Sequence, residues 1–219
     1  MGEMRGVDVS KLMEKLRRSM RGSGVSDPLD WVLALFHVAG GRLPSETHVQ
    51  KALFLASLYI EELGNLLEFK AYRMGPWSEE VGDMLEYAKL NRLILKTGDG
   101  LTLTELGALK AVDAVSKLSE NHRRILADIA EFVSGMSVDE LLLYIYTVYG
   151  FSEKSDIIEK LLRRRRELAV SLLLKGLVST DLAARIAGEP LPRFIEYLKS
   201  LGVKPFEAEV NDIGGIEKT

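Results

Sequence analysis

The amino-acid sequence predicts a mostly α-helical chain: an N-terminal winged helix-turn-helix with a small β-wing, a helical linker, and a C-terminal helix-turn-helix. Three stretches carry that prediction. Between Leu93 and Leu103, two short apolar runs flank Thr97-Gly98-Asp99-Gly100; Asp-Gly signals a tight hairpin because such turns need positive φ, which these residues tolerate best. Ahead of the hairpin, Ser78 caps an amphipathic run whose Glu79 and Glu80 complement the helix dipole. Near the C-terminus, Ala183, Ala184, Ala187 and Gly188 are small enough for two helices to approach closely, with Phe194 and Tyr197 packing the second onto the first.

Composition sets the bounds. A chain of 219 residues holds one large or two small domains, and 47% hydrophobic with 28% charged residues is globular in character. The absence of cysteine excludes disulfides and thiolate metal sites. No apolar run approaches the roughly 20 residues needed to span a bilayer, and the N-terminus lacks a signal-peptide core, so a cytoplasmic location is expected. The net charge of −3 argues against a protein coated in nucleic acid, but it is unevenly distributed. Residues 154–204 carry eleven Lys or Arg against six Asp or Glu, a local +5, whereas residues 205–219 form an acidic tail at −3.

In chain order, residues 1–26 form a leader with one amphipathic segment, Val9 to Met20, and a flexible Arg21-Gly22-Ser23-Gly24 linker. The leader is either an arm that packs on a partner or a loosely held end. Residues 27–118 are read as the winged-helix domain. Asp27-Pro28 opens its first helix, with Trp31, Val32, Leu35 and Phe36 inward. A second helix is expected from Ser45 to about Leu63, then a strand near Phe69–Tyr72, the helix after Ser78, and the wing. Residues 119–150 read as linker helices, the second opened by a Ser137-Val138-Asp139-Glu140 capping box. Tyr144, Tyr146 and Tyr149 read either as core or as a stacking surface for bases. Residues 151–204 read as one long helix from Ser155 to about Lys175, followed by the helix-turn-helix.

The runs Gln50-Lys51-Ala52-Leu53-Phe54-Leu55, Phe69-Lys70-Ala71-Tyr72, Gly75-Pro76-Trp77-Ser78 and Leu103-Thr104-Glu105-Leu106-Gly107 resemble uncharacterised YwgA-like winged-helix proteins. The last is similar to the segment that follows the wing in PadR-like and MarR-like regulators. This resemblance, over residues 46–107, implies a winged helix and permits DNA binding. The helix that would enter the major groove nevertheless carries Glu79, Glu80, Asp83 and Glu86, with Lys89 and Arg92 only at its end. Phosphates repel such a surface, although carboxylates can read cytosine edges. It reads as a protein-contact or structural module, or as a DNA reader.

Within the long helix, Arg163-Arg164-Arg165-Arg166 fan around the axis at about 100° per residue. Arg165 falls on the apolar side with Ile158, Leu161, Leu162, Leu168 and Leu172, and is expected to meet a carboxylate or carbonyls, or to lie where the helix breaks. Arg163 falls on the wet face. Residues 168–203, with Lys175-Gly176, Ser179, Ala183-Ala184 and Ala187-Gly188, resemble the helix-turn-helix of small archaeal and bacterial antitoxin-like proteins.

The expected function is a DNA-binding transcription regulator or antitoxin-like protein, with double-stranded DNA as partner and Lys175, Arg185, Arg193 and Lys199 as the phosphate contacts. The alternative is an interaction scaffold whose acidic winged helix docks a basic partner without nucleic acid. A homodimer is expected, through Val9–Met20 or the long helix. His37, His48 and His122 are far apart and out of ligand spacing, and no phosphate loop, nucleophile elbow or carboxylate pair appears, so neither metal, cofactor nor catalysis is expected.

Overall fold

A computed structural model of the chain describes residues 27–203, and both the amphipathic leader segment and the acidic tail lie outside them. The described chain is mostly helical, with eleven helices and short antiparallel strands. It divides into two compact units, before and after Glu159. Among the described residues no helix is long and apolar enough to cross a membrane.

The first unit opens with α1 (Pro28–Val38), whose N-cap Asp27 accepts from the Leu29 N–H. Next come β1 (Arg42–Leu43) and α2 (Glu46–Ser57), capped by Ser45. The short helix α3 (Glu61–Leu66) and the hairpin β2 (Lys70–Tyr72) and β3 (Gly75–Trp77) are inserted before α4 (Glu79–Leu90). The wing is β4 (Ile94–Thr97) and β5 (Gly100–Leu103), joined by a two-residue turn with Thr97 opposite Gly100. β1 pairs with β5, giving sheet order β1-β5-β4. Helices α1, α2 and α4 with this three-stranded sheet make a winged-helix arrangement.

Helix α5 (Glu105–Ser116) packs its small residues Gly107, Ala111 and Ala114 against α1. Thr104 explains its position. The Thr104 N–H donates to the Leu93 carbonyl at 3.0 Å, its hydroxyl donates to the Arg92 carbonyl at 2.7 Å, and that same oxygen accepts from the Gly107 N–H at 3.0 Å. Any side chain at Gly107 would overlap the Leu93 carbonyl. The Leu-Thr-x-x-Gly segment thus fastens α5 to the end of α4. Helices α6 (Glu120–Ser134) and α7 (Val138–Tyr149), read from the sequence as a linker, pack on α1 and α2 inside this unit.

Three sequence expectations differ in detail. The second helix ends at Ser57, not Leu63: the Ser57 hydroxyl folds back on the Phe54 carbonyl, and Ile60 is extended before α3 begins. The segment after Phe69 is a hairpin, not a lone strand. The long helix is two, α8 (Ile158–Arg163) and α9 (Arg165–Leu174), broken at Arg164, and Leu162 is 44% exposed instead of lying in an apolar stripe.

The second unit holds α9, α10 (Thr180–Ala187) and α11 (Leu191–Ser200) in a helix-turn-helix. Ala183, Ala184, Ile186, Ala187, Phe194 and Leu198 form its core.

Candidate functional site

The helix-turn-helix is held by the arginine run. Ser179 caps α10 by accepting from the Leu182 N–H, and α10 ends at Gly188 in the left-handed conformation, φ 72°. Arg165, at the start of α9, donates to the Ile186 carbonyl at 2.8 Å and to the Arg185 carbonyl at 3.3 Å. A guanidinium at a helix C-terminus satisfies orphan carbonyls and complements the dipole. Gly188 takes positive φ without strain, and a Cβ there would displace the Arg165 guanidinium. Arg166 pairs with Glu189 in the turn and lies 4.8 Å over the Tyr197 ring of α11. Arg164 pairs with Glu167 at 2.7 Å on the surface. Arg164, Arg165 and Arg166 are therefore engaged within the unit.

The four residues expected to meet phosphate are all exposed on this unit. Lys175 caps the C-terminus of α9, Arg185 lies in the last turn of α10, Arg193 in the first turn of α11, and Lys199 in its last. Six residues separate Arg193 from Lys199, so they sit about 120° apart around α11. The side chains of Arg185, Arg193 and Lys199 make no hydrogen bond or ion pair among the described residues. The exposed side of α11 also carries Glu196, which tempers its charge.

In the first unit, α4 occupies the place of a reading helix. Its Lys89 is held by Glu46 at 2.8 Å and Glu86 at 2.6 Å, so its one terminal lysine is already neutralised. Beside the first turn of α4 lies a cleft of about 380 Å³, lined among others by Glu68, Tyr72, Trp77, Glu79 and Glu80. Tyr72 and Trp77 face each other across the hairpin with ring centroids 6.1 Å apart. Lys70 reaches Glu68 at 3.0 Å on the same rim, and Glu80 accepts from the Ser78 hydroxyl at 2.7 Å.

The hairpin that carries these rings is anchored from beneath by α2. Gln50 donates to the Ser78 carbonyl and accepts from the Ser78 N–H, each at 3.0 Å. Lys51 donates to the Pro76 carbonyl at 2.9 Å, and burial lowers its pKa to about 7. His48 bridges the Ser45 hydroxyl and the Met136 carbonyl at 2.8 Å and 3.0 Å, and burial lowers its pKa. The Nε2–H tautomer donating to Met136 satisfies both bonds with a neutral ring. Residues 48–56 are buried without interruption, so α2 is enclosed on all sides and its polar residues must find partners in the backbone. Sequence reading found neither this anchor nor the Arg166–Glu189–Tyr197 lock. The juxtaposition of Gln50-Lys51 with Gly75-Pro76-Trp77-Ser78 in one resemblance was the signal for the first.

Of the tyrosines of α7, Tyr146 is buried, and Tyr144 and Tyr149 are half-buried in an aromatic cluster. Tyr144 packs on Phe132 and Tyr149, Tyr149 packs on Phe54, and burial raises the pKa of both. Compared with known proteins, the chain matches no family, no curated protein and no solved structure.

Proposed function

We propose that the chain is a DNA-binding transcription regulator or antitoxin-like protein, in which the helix-turn-helix of the second unit contacts backbone phosphates through Lys175, Arg185, Arg193 and Lys199. One observation carries this reading. In a unit where the side chains of Arg164, Arg165 and Arg166 all have internal partners, those of Arg185, Arg193 and Lys199 remain exposed without one among the described residues. Exposed cations beside a helix-turn-helix release counterions from DNA. The test is salt dependence. Binding of double-stranded DNA is expected to weaken linearly in log K against log salt, with a slope of about −3 for three to four neutralised phosphates. No binding at low salt, or binding indifferent to salt, would contradict it. On two-fold sites the protein would act as a homodimer with reading helices about 34 Å apart. Light scattering is then expected to exceed the 24.4 kDa of one chain.

A second reading is favoured by the cleft of the first unit, where Tyr72 and Trp77 stand among Glu68, Glu79 and Glu80. Aromatic faces and carboxylates together attract a lysine or arginine side chain, so the winged helix would dock a basic protein partner. A basic peptide titrated into the chain should quench Trp77, and Glu79→Lys should abolish the effect.

A further inference from the structure

Helix α5 is apolar on two opposite sides. Gly107, Ala111 and Ala114 are buried, while Leu106, Leu109 and Val112 are 50%, 72% and 56% exposed. Around the axis Glu105 and Asp113 fall between these three on the outward face, and exposed Lys110 lies beside Leu106. An outward row of large apolar side chains on a short helix marks a contact surface.

The chain contains a segment that fits it. Read as a helix, residues 9–20 would place Val9, Leu12, Met13, Leu16 and Met20 on one face. α5 is twelve residues long and spans about 18 Å, the length residues 9–20 would have as a helix. The entry point of the chain is fixed. Asp30, in the first turn of α1, accepts from Lys117 at 3.0 Å, and Lys117 is the C-cap of α5. The leader therefore joins the described chain beside the C-terminal end of α5, and residues 21–26 can reach about 20 Å. That covers the length of the exposed row in either direction.

We propose that residues 9–20, which lie outside the described residues, dock in cis as an amphipathic helix on the Leu106–Leu109–Val112 face of α5. The leader is then an outer layer of the first unit, covering α5.

The natural chain has no cysteine, which makes the test clean. Leu109 is near the middle of α5, and Met13 and Leu16 are near the middle of the segment, so their pairing does not depend on which way the segment runs. Full-length chains carrying Leu109→Cys with Met13→Cys, or Leu109→Cys with Leu16→Cys, are oxidised in dilute solution. At least one pair is expected to close an intramolecular disulfide in a monomer-sized species. In the otherwise natural chain, Leu109→Asp is expected to speed trypsin cleavage after Arg17 and Arg18 by about tenfold or more, because it frees a protected segment. Disulfides that form only between chains would assign the face to a second copy and overturn the proposal. No disulfide from either pair, with an unchanged trypsin rate, would overturn it as well.

Discussion

The two units use positive charge in opposite ways. In the first, Lys51 is buried and bound to the backbone, and Lys89 is closed off by two carboxylates, so the helix in the reading position faces outward with acids. In the second, Arg165 and Arg166 hold the turn while Arg185, Arg193 and Lys199 face outward. Two helix-turn-helix arrangements in one chain thus present opposite surfaces. Backbone architecture alone does not make a DNA reader; the location of the unpaired cations decides.

The largest expected effect concerns Lys51. Its folded pKa of about 7 lies below the unfolded value, so the unfolded state holds the extra proton between about pH 7 and pH 10 and stability rises with pH across that window. The span is on the order of 4 kcal/mol. Above pH 10 the raised tyrosines of α7 act in the opposite sense, since the unfolded state ionises first. Lys51→Met should flatten the rise in a urea-unfolding series; an undiminished slope would show that the rise comes from another group. Next comes Gly107→Ala, where the new methyl meets the Leu93 carbonyl and should cost about 3 kcal/mol in the first unit.

In the second unit, Arg165→Ala removes two hydrogen bonds from a charged group to the end of α10 and should cost about 2 kcal/mol in thermal unfolding. The smallest effect is at Arg164, whose exposed pair with Glu167 should contribute well under 1 kcal/mol on Arg164→Ala. Equal losses at Arg164 and Arg165 would erase the distinction between the lock and the surface.

Much of the fold was legible because its punctuation is local. Asp27, Ser45, Ser78, Thr104, Ser119, Ser137 and Ser179 all cap helices, and each acts within three residues of itself. The wing was legible for the same reason. Strand β1 was not, because two residues carry no periodicity and their pairing with β5 crosses nearly sixty positions. Periodicity put Arg165 toward the interior, and its carbonyl partners agree, but the break at Arg164 shifts the register and turns Leu162 outward. The buried polar residues of α2 escaped because a helix enclosed on all sides has no stripe to read.

The central claim is that DNA contact belongs to the second unit, and paired charge changes test it most directly. Affinity for double-stranded DNA is measured on the full chain at low salt for two variants. Arg185→Glu with Arg193→Glu should abolish binding, whereas Glu79→Gln with Glu80→Gln should leave it intact or tighten it. The reverse pattern, with binding kept after the arginine reversals and altered by the glutamate changes, would place the contact on the winged helix and contradict the account.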